Sequence, residues 1–178
     1  MGKRSNFTRV ERDYYPTPKV AVEPLIDHLP MGVFSYAEPC AGDGRLIRHI
    51  HELTEGHASC TFASDIEPRN PDIIQAEALS LYFEDPPMYC ITNPPWDRKI
   101  LHPLIEQFAL QMPTWLLFDA DWMHTKQSAR YMHMCKKVVS IGRVKWIEDS
   151  KSVGKDNCCW YLFDRLNTEE TRFYGRLM

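Results

Sequence analysis

The sequence predicts one α/β domain built on an open, mostly parallel sheet that holds its ligands at the carboxyl ends of the strands. Three observations carry this. A short apolar run, 33–37, passes into the glycine-containing loop 38–44 and then into a helical pattern marked by Leu46, Ile47, Ile50 and Leu53. A second run, 59–64, ends on Asp65, about twenty residues beyond the glycines. A third, 88–92, follows the breaker pair Pro86-Pro87 and delivers the turn Asn93-Pro94-Pro95-Trp96 at its end.

Composition limits the alternatives. The 178 residues suit one domain with a real core and are short for a catalytic domain plus a separate target-reading domain. Hydrophobic residues at 44% and charged residues at 25% exclude a disordered or fibrous chain. No apolar run approaches membrane-spanning length, and the start Met1-Gly2-Lys3-Arg4-Ser5-Asn6 lacks the apolar stretch of a signal peptide, so the expected location is cytoplasmic. Six cysteines without a Cys-x-x-Cys pair suit buried thiols better than disulfides or zinc. His49 and His51, two apart on a helix, face different directions, and no metal is expected.

A net charge of −3 argues against a nucleic-acid partner until it is divided along the chain. Residues 13–125 carry six basic and seventeen acidic side chains, whereas 126–155 carry eight and two, and 1–12 carry four and one. Residues 1–12 are expected to be a mobile basic arm, with the single domain over 13–178. The basic stretch Lys126, Arg130, Lys136, Lys137, Arg143, Lys145, Lys151 and Lys155 is the pattern of a phosphate-contacting face. A solvated surface with clustered charges is the alternative.

The elements follow in order. In Asp13-Tyr14-Tyr15-Pro16-Thr17-Pro18 alternate prolines hold the chain extended, Thr17 is placed to cap a helix, and Pro18 takes the first helical position before Val22, Leu25, Ile26 and Leu29. Gly42 and Gly44 let the backbone approach a ligand. Asp65 stands where an acid accepts both hydroxyls of a ribose, or caps the turn containing Pro68 and Pro71. Residues 72–78 read as a short third strand and loop. Ile100, Leu101, Leu104, Ile105, Phe108 and Met112 mark an amphipathic helix ended by Pro113. Residues 114–118 form an apolar strand, with Asp119, Asp121 and Trp122 at its end either lining a pocket or capping and packing. Tyr131, Met132 and Cys135 suit a helix over about 125–135. Two last strands, 138–146 and 158–163, are joined by a polar, basic loop.

The turn at 93–96 suggests a chemistry. Its prolines fix φ and remove two N–H donors, leaving carbonyl oxygens and the Asn93 amide oxygen as acceptors. Acceptors at Asn93 Oδ1 and the Pro94 carbonyl suit the N–H groups of an exocyclic amine on a flat ring, favouring a pyramidal, nucleophilic nitrogen, with Trp96 to stack on the ring. A neutral Asn suffices, because the proton can leave after the new bond forms. A turn between strand and helix with a core tryptophan is the alternative reading.

Asn93-Pro94-Pro95-Trp96 resembles the catalytic motif of the S-adenosylmethionine-dependent amino-methyltransferases, which include DNA adenine-N6 and cytosine-N4, ribosomal RNA adenine-N6 and protein glutamine enzymes. Glu38-Pro39-Cys40-Ala41-Gly42-Asp43-Gly44 is similar to their first cofactor motif, and Tyr15 and Thr17 sit in a Tyr-x-Thr-Pro element like that of small phage-encoded DNA adenine methyltransferases. The resemblance implies a three-layer Rossmann-like class I methyltransferase fold with a mostly parallel seven-stranded sheet and an antiparallel last strand. It implies S-adenosyl-L-methionine as cofactor, contacted by Tyr15, Thr17, Glu38, Pro39, Cys40, Ala41, Gly42, Gly44, Asp65, Ile66, Glu77, Ala78 and Asn93. Asn93, Pro94, Pro95 and Trp96 would act on adenine N6 in DNA, single-stranded or with the base flipped out. The basic stretch 126–155, with Lys126, Arg130, Arg143, Lys145, Lys151 and Lys155, and the N-terminal arm are left to touch DNA, which implies low sequence specificity or specificity supplied by a homodimer. RNA adenine, protein glutamine and DNA cytosine N4 are alternative acceptors, and a non-catalytic nucleic-acid-binding module on the same fold is the alternative of another class. A phage-encoded chain would work in the host cytoplasm.

Overall fold

The computed structural model describes residues 14–147 and 154–176. The basic arm 1–12 and Lys151 lie outside the described residues. Eight strands are described: β1 (Phe34–Glu38), β2 (Ala58–Asp65), β3 (Ile74–Gln75), β4 (Tyr89–Thr92), β5 (Thr114–Asp119), β6 (Cys135–Arg143), β7 (Asn157–Phe163) and β8 (Arg172–Tyr174). They form one sheet in the order β3-β2-β1-β4-β5-β7-β6-β8. All neighbours are parallel except where β7 runs against β5 and β6.

The chain winds outward from β1 to β3, then crosses back to place β4 on the other side of β1. That crossing makes a topological switch point between β1 and β4, where an open sheet leaves a crevice at the strands' carboxyl ends. Glu38, the last residue of β1, and Asn93, just past β4, flank it.

Helices α1 (Lys19–Ile26) and α2 (Arg45–Leu53) cover one face and α3 (Arg98–Ala109) the other. The sorting follows the period-two geometry of a strand. Along β5, Trp115 and Leu117 enter the α1/α2 core, while Leu116 and Phe118 enter the α3 core. Along β7, Cys158, Trp160 and Leu162 face the first layer and Cys159, Tyr161 and Phe163 the second. Burial on both faces makes these segments continuously apolar in sequence. Trp160 Nε1 donates to the Ala21 carbonyl at 2.7 Å, fixing α1 to β7.

Several expectations are corrected. The helix expected over 125–135 is instead a series of 3₁₀ turns at Ala120–His124, Ser128–Arg130 and Met132–Met134. Ser128 Oγ donates to the Met123 and Thr125 carbonyls, and Thr125 Oγ1 to the Trp122 carbonyl, so side chains capture backbone acceptors that a helix needs. The strand expected over 138–146 runs instead over Cys135–Arg143. The short strand expected within 72–78 reduces to Ile74–Gln75. An eighth strand, β8, extends the expected seven, pairing in parallel with Lys137, Val138 and Val139. Pro18 is the N-cap of α1, which has no side-chain cap, and Thr17 bonds elsewhere.

The six cysteines are free, four of them buried and Cys40 and Cys60 partly so. Burial pushes the Cys60 and Cys135 thiols up to about 12. Among the described residues no helix is long and apolar enough to cross a membrane, and no group of three or more His, Cys, Asp and Glu could hold a metal ion.

Candidate functional site

A cleft opens over the switch point. Glu38, Pro39, Cys40, Ala41 and Gly42 from the loop after β1 line it, with Asp65 and Ile66 at the end of β2. Glu77 and Ala78 follow β3, Asn93 and Pro95 follow β4, and Tyr15 and Thr17 cross from the segment before α1. Residues far apart in sequence therefore meet because their strands end at one edge of the sheet.

The loop after β1 is rigid for local reasons. Gly42 has φ 55° and Gly44 φ 77°, left-handed conformations that favour glycine. A Cβ on Gly42 would lie 2.7 Å from the Tyr14 ring, so this glycine makes room for a neighbouring aromatic. Gly44 is set back from the cleft wall, and a Cβ there would meet Ile73, Arg48 and Asn70 at ordinary contact distances. Its conformation starts α2, where Asp43 Oδ1 accepts from the Arg45 N–H at 2.8 Å.

Asp65 ties the loop to β2. Its Oδ2 accepts from the Gly42 N–H and its Oδ1 from the Glu67 N–H, each at 2.8 Å. It thus caps the next turn, and each carboxylate oxygen retains a lone pair for a further donor. Ile66 beside it is 47% exposed, an apolar surface on the cleft.

Glu38 is the site's electrostatic anomaly. It is 2% exposed, and its Oε2 is a buried acceptor without a hydrogen-bond partner. Burial raises its carboxyl well above the usual range, and the nearby carboxylates of Asp65 and Asp43 push it further. A buried, unpartnered carboxylate lining a cleft is suited to a cationic donor. Burial also raises the neighbouring Cys40 thiol, which makes it a poor nucleophile.

Asn93 stands at the centre. Its Nδ2 donates to the Tyr15 carbonyl and to Thr17 Oγ1, both at 3.2 Å. Trp96 is half-buried between the two cores, and its Nε1 donates to the Leu117 carbonyl at 3.2 Å and approaches Asn93 Oδ1 at 3.4 Å. Trp146 meets Trp96 edge to face, with ring centroids 5.8 Å apart. Pro94 is buried, and neither it nor Trp96 lines the cleft.

Sequence reasoning missed several lining residues: Tyr14, Pro16, Asp43, Arg45, Leu46, Glu67, Arg69, Ile100 and Leu104. The Arg69 guanidinium lies 3.9 Å from the Tyr14 ring centroid, holding that ring against Gly42. Of the two readings of Asp119 and Trp122, capping and packing is observed: Asp119 Oδ1 accepts from the Asp121 N–H, and Trp122 is buried with its Nε1 on His102.

The basic residues divide. Arg143 ends β6 and Lys155 precedes β7, which with Lys145 puts three exposed cations at the edge that carries the cleft. Lys126 is exposed after β5, whereas Arg130 pairs with Glu106 of α3. Lys136 and Lys137 start β6 and lie at the opposite edge.

This strand order, with a single reversed strand inserted beside β5 and a glycine loop after β1, is the Rossmann-like class I methyltransferase fold. Solved structures agree. A proposed RNA methyltransferase from Pyrococcus horikoshii superposes with a TM-score of 0.67 at 13% identity, covering 93% of this chain and 94% of that one. A proposed class I S-adenosylmethionine-dependent methyltransferase from Listeria monocytogenes gives 0.62 at 12%, covering 96% and 68%. A modification subunit of a proposed type I restriction enzyme from Vibrio vulnificus gives 0.59 at 14%, covering 93% of this chain and 47% of that one. At these identities the likeness is one of fold. Neither a protein-family model nor a curated protein matches the sequence.

Proposed function

We propose that the chain is an S-adenosylmethionine-dependent methyltransferase that methylates adenine N6 in DNA with low sequence specificity. The observation that carries this reading is the orphaned, buried Glu38 carboxylate in a cleft that runs from the β1 loop to Asn93. The residues present fit the cofactor: Glu38 for the ammonium of its amino-acid end, Asp65 for the ribose hydroxyls, and Ile66, Glu77 and Ala78 for the adenine. Tyr15, Thr17, Pro39, Cys40, Ala41 and Gly42 complete the walls. When bound, the cofactor supplies an electrophilic methyl group on a sulfonium, whose S–C bond breaks with its electron pair kept by sulfur as the acceptor nitrogen's lone pair forms the new bond.

The protein's part is to bind and orient. Asn93 Oδ1 and the Pro94 carbonyl accept the two N–H groups of the acceptor amine, which directs the lone pair towards the methyl group. Pro95, on the cleft wall, fixes the turn, and Trp96, which does not line the cleft, is given the stacking role by the resemblance of the tetrapeptide. The amine proton leaves to water after transfer, so no tuned base is needed. Arg143, Lys145 and Lys155, with Lys126, contact phosphates on the cleft edge. The likeness of fold to a modification subunit of a type I restriction enzyme favours DNA as acceptor, and the likeness to an RNA methyltransferase makes RNA adenine the second reading.

The test is incubation of the purified protein with S-adenosylmethionine and mixed-sequence single- and double-stranded DNA, or RNA, followed by mass spectrometry of the nucleosides. N6-methyladenine that disappears with Asn93→Ala establishes the reading. N4-methylcytosine, or product in RNA alone, reassigns the acceptor, and cofactor binding without product in any acceptor overturns the nucleic-acid methylase.

A further inference from the structure

Asn93 is bonded more widely than an amine acceptor needs. Its Nδ2 donates to the Tyr15 carbonyl and Thr17 Oγ1, and its Oδ1 faces the Trp96 indole N–H. A backbone carbonyl only accepts and an indole N–H only donates. Turning the amide over would set its NH₂ against the indole N–H and its oxygen against the Tyr15 carbonyl. Two opposed partners therefore select one orientation, independently of how the amide atoms are assigned.

The groups that receive Nδ2 belong to one short segment, 14–17, that itself lines the cleft. Thr17 is only 4% exposed, and Pro16 and Pro18 on either side restrict its backbone. Thr17 leaves α1 uncapped and spends its hydroxyl on Asn93 instead. The same segment packs Tyr14 on Gly42, so one strap touches both the glycine loop and the acceptor-binding amide.

We propose that Thr17 and the Tyr15 carbonyl are positioning groups for the acceptor site: they hold the Asn93 Nδ2 on the strap, so that the Oδ1 lone pair not facing the Trp96 N–H is left for the incoming amine, and so tie the acceptor site to the strap that lines the cofactor cleft. The proposal deepens the methyl-transfer reading and rests on it. It predicts a requirement for Asn at 93. An Asp would accept from the amine equally well, but it has no N–H for the strap and sets a negative charge against the Tyr15 carbonyl.

The experiment compares Thr17→Val, Thr17→Ser and Asn93→Asp with the unaltered protein, by steady-state methylation of DNA and by exchange of the Asn93 side-chain amide hydrogens in NMR. Thr17→Val keeps the shape and removes the acceptor; kcat is expected to fall about tenfold with KM for the cofactor changed less than about threefold. Thr17→Ser restores kcat to within about threefold of the unaltered protein. Asn93→Asp loses about tenfold or more in kcat. The Asn93 amide hydrogens exchange faster in Thr17→Val than in the unaltered protein or Thr17→Ser. A Thr17→Val enzyme that keeps kcat and loses only cofactor KM overturns the proposal, as does a Thr17→Ser enzyme equally slow, or an Asn93→Asp enzyme with full kcat. Were the unaltered protein inactive on every acceptor, the methyl-transfer reading would fall, and Asn93 exchange unaffected by Thr17→Val would overturn the positioning role separately.

Discussion

The Gly42 backbone N–H donates to Asp65 Oδ2 at 2.8 Å, which joins the loop after the first strand to the acid closing the second. With the Glu67 N–H on Oδ1, both carboxylate oxygens hold backbone donors. Asp65→Asn replaces one oxygen with an NH₂ group, so one of the two N–H groups faces another donor. The expected cost is about 1–3 kcal/mol, a fall of several degrees in Tm for a chain of this size. Thermal unfolding of the ligand-free protein checks it; an unchanged Tm would show that the loop is held by other interactions.

Glu38 makes stability depend on pH in an unusual direction. Its folded carboxyl titrates well above the ordinary range because of burial, reinforced by Asp65 and Asp43. A raised carboxyl binds its proton more tightly in the folded state, so its stabilising contribution is full below the unfolded value of 4.5 and is lost as pH rises through the folded value. Glu38→Gln removes this titration. Ligand-free Glu38→Gln is therefore expected to gain Tm on the unaltered protein progressively as pH rises from about 5 to 8, while losing affinity for a cationic ligand. Parallel melts across that range test it, and a constant Tm difference would refute it.

Trp96 separates packing from stacking. Trp96→Phe keeps a ring but removes the N–H that the Leu117 carbonyl receives, at an expected cost of about 1 kcal/mol in urea unfolding. Methylation by Trp96→Phe should stay within about tenfold of the unaltered protein, because a flat face remains. Trp96→Ala, which removes a side chain packed on both cores, should cost about 3–5 kcal/mol. Equal activity in Trp96→Ala would end the stacking role.

The parts of the site that were legible in sequence are those written locally. The turn at 93–96 places an asparagine and two prolines after an apolar run, and the loop at 38–44 a proline, two glycines and an acid, so tertiary structure only has to align their strands. What was illegible depends on distant partners. Gly42 carries no sign that the Tyr14 ring fills the space above it, nor does Arg69 that it covers that ring. The β8 strand has an exposed Phe173 and no alternating pattern, and it exists through its register with Lys137, Val138 and Val139. The helix expected over 125–135 failed because the hydrophobic pattern outweighed Ser128 and Thr125, whose hydroxyls take the carbonyls. The orphaned oxygen of Glu38 could not be foreseen, because its burial arises where β1 meets β4.

The division of the basic residues gives a test with an internal control. Arg143, Lys145 and Lys155 lie at the carboxyl edge near the Trp96–Trp146 pair, while Lys136 lies at the opposite edge, 4.0 Å from Glu169. Neutralising a phosphate releases counterions, so the slope of log K against log salt falls by about one for each phosphate-binding cation that is removed. Arg143→Ala and Lys145→Ala should each weaken DNA binding at about 0.1 M salt and flatten the slope by about one, with similar effects on unrelated sequences, since phosphate contacts carry no base information. Lys136→Ala should leave the slope unchanged, because its cation points to the edge away from the cleft. Fluorescence anisotropy over a salt series measures all three, and an equal flattening of the slope for Lys136→Ala would place the DNA elsewhere on the protein.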